Sequence, residues 1–487
     1  MRAEPAPGVV PPAGSSPAVT FRTGDDLWET VTAHVLSGDG EEHGGAVLCG
    51  IASTLTGIRL LGRRFIPAVD DVDYVPGIYG HRALTPSFIR RVLRSAADQN
   101  LICLFVHGHG HGSSVAFSRT DLASHERGYP ALLDIAGQHV GALVLADNAV
   151  AGDIWLTEGG RADIATSQII GTNVRSLTPR PVAAPAADGE DSRQVQLFGD
   201  RGRQILRAAT IGVIGAGGAG MLAVQLLSRV GVGHLVVIDP DRVEPSNLPR
   251  LPGATRADAR LPLTAAGRPR WVQDVGRRLA TKKTRVAARL TRQAGQGTRI
   301  SVFPVDVRDA AAATALLACD YLVLAADTAT ARHLVNVISY QYLIPMVQVG
   351  VKIPVDSAGT VGDLFAVTRP VTPDGGCLRC AGLIDATALA IESLPDAQRR
   401  LADYGTGEPA PSVITLNAIA VSHAVNDVMF ALTGLRDSSE VLHVRHHARR
   451  GTQVAAQVRS RDPGCPVCGD NGLTALGDLA LLPLPRS

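Results

Sequence analysis

The chain has 487 residues, a formal net charge of +2 and a hydrophobic content of 45%. This length predicts two or more domains, and the hydrophobic content is enough for ordinary folded cores. The nearly balanced charge and an aromatic content of 4% argue against a surface that binds nucleic acid or anionic membranes. No run reaches the roughly 18 apolar residues that a membrane-spanning helix needs. We therefore expect a cytoplasmic protein that has neither nucleic acid nor a membrane as a partner.

Changes in composition divide the chain into four parts. Residues 1–19 are rich in proline, glycine, alanine and serine and lack the apolar core of a signal peptide, so we expect a disordered arm. Residues 179–192 combine prolines with alanines and acidic residues, which is typical of a linker. The first folded domain is therefore expected at residues 20–178 and the second at residues 193–487.

A cluster of histidines follows a run of apolar residues in the first domain. The run, a predicted strand, leads into His107, His109 and His111, and Ser118 and Asp121 come shortly after. Histidines one residue apart at a strand end point the same way and can bind one metal ion, and an aspartate from the next helix completes a three-ligand zinc site with an open position. Water in that position becomes a nucleophile at neutral pH. The pair is His107 with His109 or His109 with His111, and we favour the first because His107 follows the strand directly.

This pattern resembles the JAMM (JAB/MPN) metalloprotease family, whose motif is HxH, a gap and SxxD, with a glutamate near the domain start. The usual proline after the second histidine is replaced by glycine. The resemblance implies an N-terminal α+β JAMM-like domain with a catalytic Zn²⁺ held by His107, His109 and Asp121. It also implies that Ser118 polarises the scissile carbonyl and that Glu42 is the general acid/base. Members of that family cleave ubiquitin-like tails or trim the C-termini of sulfur carriers.

A glycine-rich turn in the second domain joins a short apolar strand, residues 211–214, to a helix, and the next strand ends at Asp239. Such a turn with an acidic residue about 20 positions later is typical of a doubly wound nucleotide-binding fold, where backbone N–H groups at a helix N-terminus face the ligand. The glycines are Gly215, Gly217, Gly218 and Gly220. A polar group follows at Asp241, Ser246, Asn247 and Arg250. A dinucleotide-dependent oxidoreductase does not need this polar group, whereas an enzyme that holds a triphosphate beside a carboxylate does.

Taken together, these motifs closely resemble the ThiF/MoeB/HesA (ubiquitin-activating-type) adenylyltransferases, whose pattern is GxGGxG…DxDxVxxSNLxR. The resemblance implies a C-terminal doubly wound, Rossmann-like α/β adenylation domain that binds ATP and Mg²⁺ and forms a homodimer. It assigns nucleotide contacts to the four glycines and to Asp239, Asp241, Ser246, Asn247, Arg250, Lys283, Asp306 and Val307.

The same resemblance assigns catalytic roles to Arg193, Asn247, Arg250, Lys283 and Asp327. Arg193 would reach the phosphates of the partner subunit. Lys283 would neutralise the triphosphate, and Lys282, one place earlier, is the alternative for that role. Asp327 follows an apolar strand, where an open parallel sheet places its ligand groups, and would hold Mg²⁺. It begins the family's D-x4-R-x3-N spacing, which continues through Arg332 and Asn336.

Two pairs of cysteines have the spacing of zinc knuckles, and they are Cys377 with Cys380 and Cys465 with Cys468. Four thiolates can close a tetrahedral site that has no position for water, so the zinc they predict is structural. The ThiF-type family carries such a site at the same places. The remaining cysteines are expected to be buried as small apolar side chains, and they are Cys49, Cys103 and Cys319. Residues 381–417 contain no cysteine, so the resemblance supports adenylation without a thioester on this chain.

Three local expectations concern the chain around these motifs. Asp25 and Asp26 are expected to cap the first helix. A short helix that ends near Leu206 is expected to follow Arg193. Residues 251–277, rich in arginine, proline and glycine, are expected to form an inserted loop.

Both sets of motifs together predict a bifunctional enzyme. The second domain would use ATP to adenylate the C-terminal carboxylate of a small ubiquitin-like or sulfur-carrier protein, and the JAMM-like domain would trim the C-terminus of the same partner. The alternative is adenylation of a peptide precursor of a natural product, with the first domain as a non-catalytic binding module. An oxidoreductase is disfavoured because it explains neither the Asn247 and Arg250 pair nor Asp327.

Overall fold

The computed structural model describes residues 18–54, 57–75, 82–183, 192–356, 358–394, 411–437, 442–457 and 460–485. The chain divides into two compact units. The first unit is Met1–Ala183 with Gln341–Leu343 and Leu473–Leu481, and the second is Ala184–Tyr340, Ile344–Gly472 and Leu482–Ser487. Residues 1–17 of the predicted arm and residues 184–191 of the predicted linker lie outside the described residues.

The first unit is built on an eight-stranded sheet with helices on both faces. Its strands are β1 Ala18–Gly24, β2 Gly44–Thr54, β3 Gly57–Pro67, β4 Ile102–Gly108, β5 Val140–Ala146, β6 Ala149–Trp155, β7 Arg161–Ile170 and β8 Val174–Leu177. Its helices are α1 Asp25–Val35, α2 Pro86–Asp98 and α3 Arg119–Ala136. The strand order is β1-β3-β2-β4-β5-β6-β7-β8, and β1 also pairs with β7, so strands β1 to β7 close into a ring.

Alternation along β2 explains why the sheet of the first unit carries two cores. Val47 and Cys49 pack in the core that contains Trp28 of α1. Leu48 points the other way and packs in the core that contains Phe88 of α2. Successive side chains of a strand point to opposite faces, so one apolar strand fills both cores. The predicted burial of all three cysteines outside the zinc knuckles is confirmed.

The second unit is built on a mixed eight-stranded sheet. Its strands are β9 Thr210–Ile214, β10 His234–Ile238, β11 Arg299–Phe303, β12 Tyr321–Leu324, β13 Met346–Lys352, β14 Phe365–Val371, β15 Leu442–His447 and β16 Thr452–Gln457. The order is β11-β10-β9-β12-β13-β14-β15-β16. The pairs from β11 to β13 are parallel and those from β13 to β16 are antiparallel. The parallel half is the doubly wound sheet that the sequence predicts.

The described helices of this unit include those that connect its parallel strands. They are α4 Ser192–Ala208, α5 Gly218–Val230, α6 Leu261–Thr264, α7 Arg270–Leu279, α8 Lys283–Ala294, α9 Ala310–Leu316, α10 Ala329–Gln341, α11 Ala386–Glu392 and α12 Ile414–Thr433. By length and composition α12 could cross a membrane, with a mean hydropathy of 1.2 over 18 residues. Half of that window is buried inside the fold. Core helices of globular proteins pass the same test, so α12 gives only weak support for a membrane span.

One expectation about a helix start is partly right and another is wrong. The backbone is not helical at Gly199, where φ is +65°, so α4 consists of two helical segments, and Arg193 lies in the first turn of the first one. The second segment ends at Ala208 and is the short helix that the sequence predicts after Arg193. Asp25 and Asp26 do not cap α1 but form its first turn, and Gly24 occupies the cap position without a side-chain hydrogen bond. Acidic residues in a first turn stabilise the helix through its dipole, which explains why the pattern is misleading.

The expectation of an inserted loop over residues 251–277 is also wrong, because the segment contains α6 and most of α7. A buried carboxylate organises it. Asp258 accepts hydrogen bonds from Arg289 of α8 at 2.7 and 3.1 Å, and from the backbone and side chain of Thr255 at 2.9 and 2.7 Å. Burial opposes its ionisation, but the bonds from Arg289 and Thr255 outweigh burial and lower the pKa of Asp258. One ion pair therefore joins this polar, breaker-rich segment to α8.

We expect Asp258→Ala to lower the free energy of unfolding by about 3 kcal/mol, because it leaves the Arg289 guanidinium without its buried partner. Since the folded state lowers this pKa, the contribution is complete above pH ~4 and is lost at lower pH. Urea unfolding at pH 7 and at pH 3 measures both effects. Asp274→Ala is the matched control, because Asp274 pairs with Arg277 on the surface, with both side chains at least half exposed. It should cost under about 0.5 kcal/mol, and an equal cost for both variants would contradict the assignment.

Candidate active sites

The candidate nucleotide site lies where the strand order of the second sheet reverses. β9 pairs with β10 on one side and with β12 on the other, so the loops that follow β9 and β12 start side by side. The N–H of Ala325, just after β12, donates to the Ile214 carbonyl at 2.8 Å. Ligands of doubly wound proteins bind at such a switch point. The register therefore brings the glycine turn next to the loop that carries Asp327.

Two glycines are required by the turn itself. Gly215 has a φ of +90°, and a Cβ on it would lie 3.0 Å from the backbone of Ala325. A Cβ on Gly220 would lie 1.7 Å from the carbonyl oxygen of Gly215. In contrast, a Cβ on Gly217 would meet nothing within 4 Å. The turn is thus packed against its own sheet and open on the side from which α5 begins, where a phosphate can approach backbone N–H groups.

Asp239 fixes the shape of the glycine turn. Its carboxylate accepts a hydrogen bond from the Ala216 N–H at 2.7 Å and another from the Asp241 N–H at 2.8 Å. The residue is 4% exposed, and burial raises its pKa. Its observed partners are therefore backbone groups of the glycine turn and of the loop that follows β10. The predicted contact with a nucleotide stays a prediction.

The two candidate lysines have different partners. The Lys283 ammonium lies 2.7 Å from an exposed carboxylate oxygen of Asp241, and the Lys283 side chain is only 11% exposed. Lys282 donates instead to the backbone carbonyl of Pro240. A lysine that is largely buried and paired with an exposed carboxylate can exchange that partner for a phosphate. The geometry thus favours Lys283 over Lys282 as the phosphate ligand.

The predicted polar group folds into a compact turn beside α5. Asn247 is buried and its side-chain oxygen accepts the Glu244 N–H at 3.2 Å. The Arg250 guanidinium donates to the Ser246 carbonyl at 3.0 Å. A Cβ on Gly218, at the start of α5, would lie 3.1 Å from the Arg250 carbonyl oxygen and 3.6 Å from its Cγ. Arg250 is therefore packed against the helix end that follows the glycine turn.

Asp327 is exposed at the end of the loop after β12. No hydrogen bond or ion pair to its carboxylate occurs among the residues that the structure describes. The N-terminus of α10, two residues later, is capped by Glu392, which accepts the Ala329 and Thr330 N–H groups at 3.0 and 2.8 Å. Asp327 is thus not needed as a helix cap, and its oxygens suit the hard cation Mg²⁺.

The remaining predicted nucleotide and catalytic residues are Asp306, Val307 and Arg193. Val307 is 5% exposed, and the Asp306 carboxylate pairs with Arg308 at 2.9 Å. Arg193 is exposed on α4, and in the described part of the chain no hydrogen bond or ion pair joins it to the glycine turn. The roles predicted for these three residues stay predictions.

The four knuckle cysteines come together as the sequence predicts. Their sulfur atoms all lie within 4.8 Å of one another. Adjacent Sγ···Sγ distances are 3.8, 3.7 and 3.4 Å. Zn–S bonds of about 2.3 Å in a tetrahedron place sulfurs about 3.8 Å apart, so the cluster fits a zinc ion. A hydrogen bond from Cys468 lowers the pKa of Cys377, which favours the thiolate that binds metal.

In the first unit, two histidines and an aspartate form a second cluster, called here the His-Asp cluster (His107, His109 and Asp121). The Nε2 atoms of the two histidines lie 3.2 Å apart, and they lie 3.6 and 3.3 Å from an Asp121 oxygen. The Nδ1 of His109 is 3.1 Å from the Ala116 carbonyl and can donate to it. That bond leaves Nε2 as the free lone pair for a metal. The donor set therefore fits a three-ligand zinc site.

Helix capping and strand register place the other two predicted residues beside the His-Asp cluster. Ser118 caps α3, and its Oγ accepts the Asp121 N–H at 3.1 Å, so its own O–H proton remains available to a substrate carbonyl. Gly44 of β2 lies opposite His107 of β4, and Glu42, two residues earlier, lies 3.8 Å from the His109 Nε2. His111 lies elsewhere, with its Nδ1 2.9 Å from Asp147. The geometry thus favours the register that uses His107.

The second unit matches a known protein family. The model of the ThiF family matches residues 191–467, which is more than half of the chain. This chain belongs to the ThiF family. The second unit, the ThiF unit below, contains nearly all of the matched residues, and Met1–Ala183 of the first unit lies outside them.

Curated relatives agree with this assignment. The chain is 29% identical over 286 residues to the SAMP-activating enzyme E1 of Haloferax volcanii, covering 58% of this chain and 88% of the relative. It is 27% identical over 284 residues to the sulfur carrier protein adenylyltransferase of Thermus thermophilus, covering 56% and 86%. A crystal structure of E. coli MccB with ATP has a TM-score of 0.43 and 19% identity, covering 59% of this chain and 76% of that one. At this TM-score and identity, the likeness does not indicate a substrate for this chain.

Two residues of the ThiF unit have structural roles that the sequence alone does not assign. Asn336, the end of the D-x4-R-x3-N spacing, is fully buried and accepts the Leu378 N–H at 2.9 Å, between the first two zinc-knuckle cysteines. Glu392 is joined to the helix after Asp327, as described above. The D-x4-R-x3-N spacing draws attention to Asn336. Its hydrogen bond to Leu378 could not be predicted, because that bond requires α10 to pack against the zinc knuckle.

A buried pair beside the His-Asp cluster also has no sequence signal. His125 lies one helical turn after Asp121 on α3, and its Nδ1 is 3.2 Å from Asp153 of β6. Asp153 is fully buried and also binds Arg161 at 2.5 Å. The His125 ring stacks on Tyr129 with centroids 4.4 Å apart. This pairing depends on the contact between α3 and the sheet, and so only the fold shows it.

Proposed function

We propose that the ThiF unit uses ATP to adenylate the C-terminal carboxylate of a small ubiquitin-like or sulfur-carrier protein. The observation that carries the proposal is the exposed carboxylate of Asp327, which has no partner among the described residues and lies beside an open glycine turn at the switch point of the sheet. Two relatives whose names describe activation or adenylation of such carrier proteins support the choice of substrate.

In the proposed reaction, a carboxylate oxygen of the partner attacks the α-phosphorus of ATP, the bond to the β-phosphate oxygen breaks, and pyrophosphate leaves. The N–H groups of the glycine turn and the Lys283 ammonium would hold the phosphates. Arg250, packed on the start of α5, would orient the partner's carboxylate or the α-phosphate. Asp327 would hold Mg²⁺, which neutralises charge on the phosphates. No cysteine occurs in residues 381–417, so we assign the acyl group to a nucleophile outside this chain.

Exchange of labelled pyrophosphate into ATP tests this proposal. We expect exchange with small ubiquitin-like proteins that end in a free Gly-Gly carboxylate and none with the same proteins lacking both glycines. Exchange with short peptides but with none of the carrier proteins would favour the alternative, adenylation of a precursor peptide. The homodimer, in which the exposed Arg193 would act across the interface, is part of the proposal, and sedimentation velocity tests it.

We propose a second function for the first unit, hydrolysis of a peptide bond at the His-Asp cluster. The specific support is that Ser118 and Glu42 flank the two histidines and Asp121 in one place. Zn²⁺ held there would supply a hydroxide nucleophile at neutral pH. The Ser118 O–H would donate to the scissile carbonyl oxygen, and Glu42 would take the proton of the water and pass it to the departing amine. Glu42→Gln should therefore remove hydrolysis while the protein keeps its zinc.

The His-Asp cluster gives a testable prediction about metal content. We expect His107→Ala to lower bound zinc from about two ions per chain to about one, because three-ligand sites lose affinity steeply when one ligand is removed. His111→Ala is the matched control, since His111 pairs with Asp147 instead, and it should keep both ions. Metal analysis after dialysis measures the content. Loss of zinc from His111→Ala, with retention in His107→Ala, would favour the other register.

A further inference from the structure

A largely apolar cavity lies beside the His-Asp cluster. Its volume is about 340 Å³. One wall is a single face of α3, made of Asp121, His125, Gly128 and Leu132. The facing wall includes Tyr74, Leu84 and Phe105. His107 and Asp121 thus border both the proposed zinc and a pocket large enough for a bulky side chain.

We propose that this cavity binds the side chain of a large apolar residue that directly follows the scissile bond. The inference rests on the hydrolytic function proposed for the first unit and names its substrate class. Water adds to the carbonyl carbon, the C–N bond breaks, and the leaving amine takes the proton that Glu42 carries. The product released as the amine would then begin with an aromatic or long aliphatic residue. The product that carries the new carboxylate would end in a small residue.

The groups that line the cavity indicate an apolar occupant. The Arg82 guanidinium lies 2.6 Å from Asp70 and 3.9 Å from the centroid of the Tyr74 ring. Two histidines also line the wall, and both are paired, His43 with Asp39 at 2.8 Å and His125 with Asp153 at 3.2 Å. The remaining ionisable groups of the lining, Glu42, His107 and Asp121, belong to the proposed zinc site. A charged substrate side chain would therefore lose hydration without gaining an unpaired partner from Arg82 or from either histidine. An apolar side chain would instead be stabilised by burial against the aromatic and aliphatic walls.

The position of Ser118 indicates which side of the scissile bond lies in each hollow. A second hollow of about 570 Å³ lies on the other side of the cluster and is lined by Ser118, His109 and several glycines. Ser118 does not line the apolar cavity, whereas Glu42 borders both hollows. With the carbonyl oxygen at Ser118, the acyl part of the substrate lies toward the glycine-lined hollow. The departing amine then lies toward the apolar cavity, with Glu42 between them.

Peptides that differ only in the residue after the scissile bond test the inference. With the full-length zinc-loaded enzyme, we expect a Gly-Gly-Phe peptide to be cleaved about ten- to a hundredfold faster than its Gly-Gly-Gly counterpart. In the inactive Glu42→Gln protein, calorimetry should give a similar ratio of affinities, which is a readout independent of turnover. A Phe-Gly-Gly peptide, with the ring on the acyl side, should show no such gain.

Gly128 allows the cavity to be filled without disturbing the fold. A Cβ on Gly128 would meet nothing within 4 Å, and replacing a helical glycine raises helix propensity. Gly128→Phe, or Gly128→Leu as a second variant, should reduce the ratio of Phe to Gly affinities to about one. The control is Ala123→Phe, which adds the same ring to the exposed side of α3 and should keep the preference.

The outcomes separate this inference from the function on which it rests. If no peptide is cleaved and none binds to the Glu42→Gln protein, the hydrolytic function itself fails, and the inference with it. If peptides are cleaved but the Gly-Gly-Gly peptide is as good as Gly-Gly-Phe, the hydrolytic function stands and the cavity assignment is overturned. A preference that persists in both Gly128 variants, or one that appears only on the acyl side, also overturns it.

Discussion

Replacing Asp327 by alanine is expected to slow ATP–pyrophosphate exchange by about 100-fold or more, because a metal that stabilises charge on a transferring phosphoryl group contributes several kcal/mol. The loss should appear mainly in kcat, since the charge develops in the transition state. Titration with Mg²⁺ should show that the variant needs a higher Mg²⁺ concentration for half-maximal exchange. Exchange measured with a saturating carrier protein is the direct readout.

The fold provides the control for this prediction. Asp327 is exposed and has no hydrogen-bond partner among the described residues, so Asp327→Ala should change the free energy of unfolding by less than about 0.5 kcal/mol. Asp327→Glu, which keeps a carboxylate, should recover part of the activity. Full exchange activity in Asp327→Ala would contradict the metal role, and a large loss of stability would show that the residue is structural.

Replacing Cys465 by serine is expected to remove one zinc ion per chain and to lower the free energy of unfolding of the ThiF unit by more than about 4 kcal/mol. The four cysteines join two segments that are 88 residues apart between Cys377 and Cys465, and without the metal that long loop regains its entropy. Metal analysis and urea unfolding measure the two effects together.

The matched control for the zinc prediction is a buried cysteine outside the cluster. Cys103 is 2% exposed in β4, and Cys103→Ala should cost about 1 kcal/mol and leave the zinc content unchanged. Unchanged zinc in the Cys465→Ser protein would contradict the four-cysteine site. Loss of zinc with unchanged stability would mean that the metal is not structural.

Local chemistry made the position of the main candidate residues for nucleotide binding predictable. The turn that follows the buried strand β9 needs glycine at two positions. The φ angle is positive at Gly215, and a Cβ on Gly220 would collide with the backbone. Asp239 had to end the next strand, since parallel strands end at the same edge. Asp327 was predictable for the same reason, as it follows a further apolar strand. These signals act over short distances, so the sequence carries them directly.

Contacts between distant elements could not be predicted in the same way. The bond between Asp258 and Arg289 joins the segment that contains α6 and α7 to α8, and no periodicity in the sequence predicts it. The Asn336 contact with the zinc knuckle and the His125 pair with Asp153 each need two elements to be packed first. In each case the two hydrogen-bonding residues are far apart in the chain. The sequence alone does not show that they lie close together in the folded protein.

The measurement that tests the central claim most directly is ATP–pyrophosphate exchange with one carrier protein in two forms, a free C-terminal carboxylate and the C-terminal amide. Adenylation of the terminal carboxylate predicts exchange with the free form, none with the amide, and acyl-AMP detectable by mass spectrometry. Equal exchange with both forms, or exchange without any carrier, would contradict the claim that this carboxylate is the group that ATP activates.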